Sequence, residues 1–397
     1  MQKKNVLLLV ENNSVPFDRR VMRQGKTLQK AGFNVKIISP KSKENPKSFE
    51  KLEKISVYRY PPIFSPGGPL GYVREYLWAF LCTLFITVKI RLKAKIHIIH
   101  SANPPDIFWA LALVFKIFKT KYIFDEHDLS PELYLSRYKY ARKNLVYKML
   151  LALERISYKV ADAVIVTNQS YQKIARQRGR LKAEKIHIVR NGPDTTSFKV
   201  GKKNDVWKNG RKYLVAYLGT MAVQDGVDYL IRACRYLVFT KKRTDFQFVL
   251  AGAGDEFENL KSLSKKLGIE NYINFTGRIP DNQVIEILST ADVCVDPDPF
   301  NPLNNLSTMN KIMEYMVCRS PIVSFNLKEA KFSAGEAALY VKNNSVEALG
   351  EGIIKIVQDK SLANKMAEFG YNRAVKKLSW QSQERKLLET YKYVLAK

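Results

Sequence analysis

Cysteine and histidine are scarce in this chain, with four of each in 397 residues. Cys82, Cys234, Cys294 and Cys318 stand far apart and form no CxxC pair. That argues against a zinc ribbon, a redox motif and a disulfide framework, and it predicts a reducing cytosol. Glycine-rich nucleotide signatures are also missing. No GxGxxG follows the first apolar run, so a dinucleotide-binding turn is unsupported. Long apolar runs are absent. The most membrane-like stretch, Tyr76–Val88, has 13 residues between Glu75 and Lys89, whereas a spanning helix needs roughly 20. The start, MQKKNVLLLVENN, has an apolar run of only Val6–Val10 and no small-residue cleavage site, so it does not read as a signal peptide. Acidic residues are few: 37 Asp+Glu against 66 Lys+Arg, a net charge of +29.

The remaining composition is ordinary for a globular protein, 46% hydrophobic and 26% charged, which excludes wholesale disorder and a fibre. The length predicts two or three domains with ample core. Charge is uneven. Residues 1–195 hold 36 basic and 15 acidic side chains, and the rest hold 30 and 22. A basic first half points to an anionic partner: nucleic acid, an anionic lipid surface or a phosphorylated substrate. A lysine-rich, solvated surface accounts for the same numbers. The Tyr76–Val88 stretch has Arg74 before it and Lys89, Arg91, Lys93 and Lys95 after it. It reads either as a buried helix or as one lying in a membrane interface, where cations meet headgroups.

Short apolar runs alternate with helical patterns along the whole chain. The first series is Asn5–Val10, Val35–Ser39, Ile96–Ile99, Tyr122–Phe124, Ala163–Val166 and Ile186–Val189. The second is Leu214–Leu218, Phe246–Ala251, Tyr272–Phe275, Val293–Val295 and Pro321–Phe325. Alternation of this kind predicts α/β architecture, parallel sheets covered by helices. The turn-rich Asn191–Asp194 reads as a hinge. The expected domains are 1–195 and 196–378, both Rossmann-like. A C-terminal helix over 379–397 is expected to pack back toward the first. Lys199–Lys212 reads as a solvated loop.

Ligands of open parallel sheets bind beyond the carboxyl ends of the strands. Seven segments there carry candidate chemistry. After the first strand, Asp18 suits a helix start, while Arg19 and Arg20 suit a phosphate; a capped helix with two surface arginines is the plain alternative. Asp125-Glu126-His127-Asp128 through Glu132 is the densest titratable cluster in the chain. A histidine flanked by carboxylates serves as acid, base or oriented donor, or else stays structural. Consecutive extended residues point to opposite sides, so a four-ligand metal cage is not expected. His100, near Ser101–Pro105, lines the same region or merely caps a strand end. In the second half, Gly219-Thr220, Gly252 with Gly254, and Gly277-Arg278-Ile279 follow successive strands. Last, Ser307 or Thr308 caps a helix that continues through Met309, Asn310, Lys311 and Glu314. Its first-turn N–H groups and Lys311 suit a phosphate, and Glu314 suits the two hydroxyls of a ribose. A capped amphipathic helix with a Lys311–Glu314 pair is the plain alternative.

With those segments in view, the chain resembles the family 4 glycosyltransferases, in particular their bacterial surface-polysaccharide branch. Five stretches carry the likeness: VPFDRRVMRQGKTLQKAGFNVKIISP, DEHDLSPELY, YLGTMAVQDGVDYLIRA, FTGRIPDNQVIEILSTADVCVDPDP and STMNKIMEYMVCRSPIVSF. The resemblance implies the GT-B fold, two doubly wound domains facing a central cleft, and retaining transfer from a nucleotide sugar, a UDP-sugar. It implies catalytic roles for His127, Asp128, Lys311 and Glu314. It further implies donor contacts at Gly219, Thr220, Gly252, Gly254, Gly277–Ile279, Ser307–Lys311 and Glu314. Acceptor contacts fall at Asp18, Arg19, Arg20, His100 and Glu132. No metal or other cofactor and no nucleic acid is expected. The acceptor is a saccharide, lipid-linked, at the inner membrane face, and the enzyme is cytoplasmic and peripheral. The family's usual glutamate eight residues before Glu314 is replaced by Leu306, its usual Arg and Lys after the first strand of the second half by Thr220 and Asp225, and its usual glycine-rich loop after strand one by Asn12–Phe17. A nucleotide-sugar epimerase of the same fold and a non-catalytic membrane-associated protein are the rival readings.

Overall fold

Near-continuous apolar runs form strands buried on both faces. Asn5–Leu9 (β1), with Val6 to Leu9 all buried, shows the pattern. A computed structural model describes residues 3–63, 68–138 and 144–396. The chain divides into two compact units, 1–190 with 383–397, and 191–382. The expected boundaries were 195 and 378.

In the first unit the strands after β1 are β2 (Asn34–Pro40), β3 (Phe49–Leu52), β4 (Ile55–Tyr60), β5 (Ile98–Ala102), β6 (Lys121–Glu126), β7 (Ala163–Val166) and β8 (Ile186–Ile188). They lie in the order β3-β4-β2-β1-β5-β6-β7-β8. All neighbours are parallel except the edge strand β3, which pairs antiparallel with β4. The helices are α1 (Arg19–Lys30), α2 (Gly68–Lys93), α3 (Trp109–Lys116), α4 (Ser130–Arg137), α5 (Leu145–Val160) and α6 (Gln169–Gly179). Asp18 starts α1 by accepting from the Val21 N–H at 2.8 Å. Gly32, at φ +91, ends it by turning the chain where a side chain is disfavoured.

The second unit has six strands: β9 (Tyr213–Leu218), β10 (Phe246–Ala251), β11 (Ile273–Gly277), β12 (Val293–Asp296), β13 (Ile322–Phe325) and β14 (Ala338–Val341). All neighbours are parallel, in the order β11-β10-β9-β12-β13-β14. This is the doubly wound order whose direction reverses between β9 and β12. Helices α7 (Val227–Arg235), α8 (Phe257–Lys266), α9 (Asp281–Thr290), α10 (Asn310–Val317), α11 (Lys328–Ala334), α12 (Val346–Gln358) and α13 (Lys360–Arg373) accompany it. One buried cluster, running from Phe198 to Leu378, forms its core.

Helix α14 (Trp380–Ala396) is where the chain returns to the first unit. It buries Leu387, Tyr391 and Val394. Tyr391 packs edge-on against Phe33, with centroids 5.6 Å apart.

Three features differ from the sequence reading. The β3–β4 pair and β14 were not anticipated: Phe49-Glu50-Lys51-Leu52 carries no apolar run to read, and Ala338–Val341 is a run of only four residues, half-buried over three of them. Lys199–Lys212 is more than a solvated loop: it contains a turn at Asp205–Lys208, and Trp207 donates from Nε1 to Glu286 at 2.6 Å. The apolar stretch at 76–88 is part of a 26-residue helix. No helix among the described residues is long and apolar enough to cross a membrane.

Candidate active site

Each sheet brings its candidate residues to its carboxyl edge. In the second unit the loops after β9, β10 and β11 are stitched together there. Gly219 donates to the Ala251 carbonyl at 3.0 Å, Gly252 to Gly277 at 3.0 Å and Met221 to Ala253 at 3.1 Å. Gly252 has φ +144, and a Cβ on it would collide with the Gly219 carbonyl oxygen, so only glycine fits this crossing. Thr220, Gly254 and Arg278 are exposed at the edge, and Gly219, Gly277 and Ile279 are half-buried.

Helix α10 starts beside the β9–β12 reversal. Its cap is Met309, which makes no side-chain capping bond, so the sequence expectation of a Ser307 or Thr308 cap is corrected. The Ser307 hydroxyl instead donates back to the Leu303 carbonyl at 2.9 Å. Asn310 is exposed, while Thr308 and Glu314 are half-buried.

Lys311 is the main surprise of this unit. Its ammonium is buried, 2.6 Å from Asp298 Oδ1 and 3.6 Å from Asp296 Oδ1, and 5.0 Å from the centroid of the Tyr217 ring. It is therefore not half of a surface Lys311–Glu314 pair. Asp296 also accepts from Ser324 Oγ at 2.9 Å, and Asp298 Oδ2 has no hydrogen-bond partner among the described residues. Burial pushes the Asp298 carboxyl well above the usual carboxylate range, and neighbouring Asp296 adds to this; Lys311 pulls the other way. For Lys311, burial lowers the pKa, but the surrounding carboxylates outweigh it and hold the ammonium charged. Asp296 ends β12 and Asp298 follows it two residues on. The lysine lies 13 residues from Asp298 on another element, so spacing alone could not reveal the pair.

In the first unit, period-2 alternation splits the titratable cluster. Asp125 is fully buried, and Arg20 holds it through Nε at 2.8 Å and Nη2 at 2.6 Å; Gln24 adds a bond at 2.7 Å. Burial alone would raise Asp125, but Arg20 and the neighbouring His100 outweigh it and keep the carboxylate well below its ordinary range. The same guanidinium donates to the Val189 carbonyl at 3.2 Å. His100 is buried too, with Nδ1 2.7 Å from the Tyr391 hydroxyl of α14 and Nε2 3.5 Å from Asp125. Arg20 and His100 thus belong to a buried brace joining α1, β5, β6 and α14.

Glu126, on the opposite face, accepts from the Tyr158 hydroxyl at 2.6 Å. Glu132 is buried and ion-paired with Arg178, which also holds Glu154 at 2.8 Å. Its carboxylate is thereby occupied within the fold. Asp18 is buried as the α1 cap, the helix start expected of it, while Arg19 is exposed.

His127 and Asp128 follow the end of β6 and are half-buried. His127 Nδ1 is enclosed and has no hydrogen-bond partner among the described residues. Two neighbours went unsingled in the sequence. Asn103 bonds to both residues' backbones, and Asp106 is buried, which raises its carboxyl to about 6. No group of three or more His, Cys, Asp or Glu that could hold a metal ion occurs among the described residues.

The two units match known proteins separately and together. Residues 18–197 match the family described as Glycosyltransferase Family 4, and residues 212–359 match Glycosyl transferases group 1. Alpha-maltose-1-phosphate synthase of Mycolicibacterium smegmatis is 26% identical over 302 residues, 70% of this chain and 75% of that enzyme. O-antigen chain mannosyltransferase B of Escherichia coli is 26% identical over 177 residues, 44% of this chain and 45% of its own length. Among solved structures, sucrose-phosphate synthase from Thermosynechococcus elongatus superposes with a TM-score of 0.79 at 18% identity, covering 99% of this chain and 100% of that one. HepE from Anabaena in complex with UDP-glucose does so at 0.71 and 16%, covering 98% and 99%. At such identities the structural likeness shows the fold, which is GT-B. The two family matches, one in each doubly wound unit and together spanning most of the sequence, carry the rest: the chain belongs to the family 4 glycosyltransferases.

Proposed function

We propose that this glycosyltransferase moves a hexosyl group, with retention, from a UDP-sugar to a hydroxyl of a lipid-linked saccharide in cell-surface polysaccharide assembly. The observation that carries the donor half is the convergence, at one sheet edge of the second unit, of three stitched loops and the start of α10. There, α10 begins after Met309, whose side chain makes no capping bond, and Glu314 lies one turn further on. First-turn N–H groups of a helix bind anions, and a carboxylate one turn in suits the ribose hydroxyls. Support for the nucleotide comes from HepE, solved with UDP-glucose, and for the pathway from the O-antigen relative.

In this reading the bond from the anomeric carbon to the diphosphate breaks as the bond to the acceptor oxygen forms on the same face. The acceptor's proton passes to the departing diphosphate. The α10 terminus and Lys311 take up the growing charge, so no metal or other cofactor is called for; each contact of this kind is worth about 2–4 kcal/mol of barrier. An arriving diphosphate competes with Asp298 for the ammonium. His127 and Asp128 contact the transferred sugar. The test is a thermal-shift panel of UDP, GDP, ADP and dTDP compounds. Saturating ligand at about 100 times its Kd stabilises by roughly 2.7 kcal/mol, or about 5–10 °C for a unit of this size. UDP compounds are expected to give the shift, and Glu314→Ala to remove it. A shift preserved in that variant defeats the ribose assignment.

The acceptor half places the protein in the cytoplasm, peripheral on the inner membrane face. Support comes from an inversion in α2. Its buried stripe, Ala79, Thr83, Thr87 and Ile90, is small and partly polar, while Leu77, Leu81, Phe85, Val88 and Leu92 are exposed. Just beyond α3, Ile117 and Phe118 are exposed as well, and Arg91 lies 4.7 Å from the Phe118 ring centroid. An outward apolar stripe beside Lys89, Arg91 and Lys93 suits the boundary between acyl chains and anionic headgroups. Flotation with phosphatidylglycerol-containing vesicles at moderate salt is expected to carry the protein upward, and Lys89→Glu with Arg91→Glu and Lys93→Glu to abolish it. Flotation that is absent, or indifferent to those charges, defeats this half.

A further inference from the structure

The turn that carries His127 has an unusual support. Asn103 follows β5 and is fully buried. Its backbone N–H continues the ladder to Asp125, at 3.1 Å. Its side chain then crosses to the next turn. Oδ1 accepts from the N–H groups of His127 and Asp128 at 2.9 and 3.1 Å. Nδ2 donates to the Asp128 carbonyl at 2.7 Å and to Asp106 Oδ1 at 2.9 Å. Both donors and both lone pairs of the amide are used, so nothing is left over to bind a ligand. The imidazole, by contrast, has no hydrogen bond on Nδ1. Histidines that do chemistry are ordinarily aimed by a bond on the second ring nitrogen. Here the ring's aim has to come from the backbone beneath it, and that backbone is held at three of its polar groups by one side chain.

We infer that Asn103 is a positioning residue for sugar transfer, a four-bond clamp that fixes the His127–Asp128 turn and thereby aims an imidazole whose Nδ1 has no hydrogen-bond partner among the described residues. The inference rests on the proposed role of His127. Asp106 serves as the clamp's anchor, because its bond to Nδ2 fixes the amide plane.

The test is a double-mutant cycle on the full chain. The rate is release of nucleoside diphosphate from whichever of UDP-glucose, UDP-N-acetylglucosamine, GDP-mannose, ADP-glucose and dTDP-glucose shifts the melting temperature most. Asn103→Ala is expected to lower kcat about 10–100-fold, as misplacements of about 1 Å do. Donor KM and the nucleotide-induced melting shift, which report on the second unit, are expected to stay put. In a His127→Ala background the same replacement is expected to change kcat by less than about threefold, since residues acting as one unit are not additive. Asn103→Asp combined with Asp106→Asn, which keeps both accepted bonds and returns an amide donor opposite the new carboxylate, is expected to regain part of the rate and guards against a folding defect in the alanine variant. An equal loss in both backgrounds, no recovery by that paired exchange, or an unchanged kcat in Asn103→Ala beside a slow His127→Ala overturns the clamp and leaves the role of His127 standing. A His127→Ala enzyme as fast as the parent overturns the role of His127 itself, and the clamp with it.

Discussion

Arg20→Met is expected to destabilise the first unit by about 3–5 kcal/mol, the cost of leaving one member of a buried ion pair alone. Asp125 has no exposure, and its two oxygens are met by the guanidinium and by Gln24. Removing Arg20 leaves a carboxylate with the Gln24 amide and, at 3.5 Å, His100 in a place water does not reach. Arg20 also holds the Val189 carbonyl, so the segment after β8 loses its partner as well. Replacing both partners, as in Arg20→Met with Asp125→Leu, is expected to return most of the loss, because two apolar groups leave no uncompensated charge. Urea unfolding of the single and double variants measures this. A single variant within 1 kcal/mol of the parent would mean the pair is dispensable. The parent's dependence on pH has a definite sign. Asp125 is held below its unfolded pKa, so its contribution is complete above that value and fades as acid protonates it.

Lys311→Met carries the second large effect, and it separates stability from donor binding. The ammonium sits between Asp298 and Asp296, both without exposure. Its loss leaves two neighbouring buried carboxylates and is again expected to cost about 3–5 kcal/mol near neutral pH. Here the pH dependence runs the other way. Asp298 is already raised by burial and by Asp296, with only Lys311 opposing. Without the lysine it rises further, so the folded variant keeps a proton that the unfolded chain releases. Stability then falls as pH rises. The deficit of the variant relative to the parent is therefore expected to be smaller at pH 5 than at pH 8. Denaturation at the two values decides; a deficit that shrinks toward pH 8 contradicts the charge argument. If Lys311 also meets the diphosphate, a Lys311→Met, Asp298→Asn variant should regain stability without regaining the nucleotide-dependent melting shift.

Most of the architecture was legible because it is written locally. Parallel strands buried on both faces must be short apolar runs, and β7 and β10 match the runs Ala163–Val166 and Phe246–Ala251 residue for residue. The alternation with helical patterns then leaves few arrangements other than doubly wound sheets, and loops at strand ends follow as the place for chemistry. Family likeness was legible for the same reason, since it sits in contiguous stretches. Elements that bury little, such as β3, left no such trace.

Which titratable groups are free to act was a different matter. Asp125-Glu126-His127-Asp128 is one motif in the sequence, yet strand pleating sends Asp125 to Arg20 and Glu126 to Tyr158 on opposite faces. Only the last two residues stay partly open. Lys311 finds its partner in Asp298, 13 residues away, and His100 in Tyr391, 291 residues away. Fold class, domain count and the location of candidate loops were set by periodicity and local pattern, which the sequence displays directly. Whether a charge is exposed and available or neutralised in the interior was decided by tertiary structure alone, because burial and ion pairing depend on residues that meet only after the chain has folded.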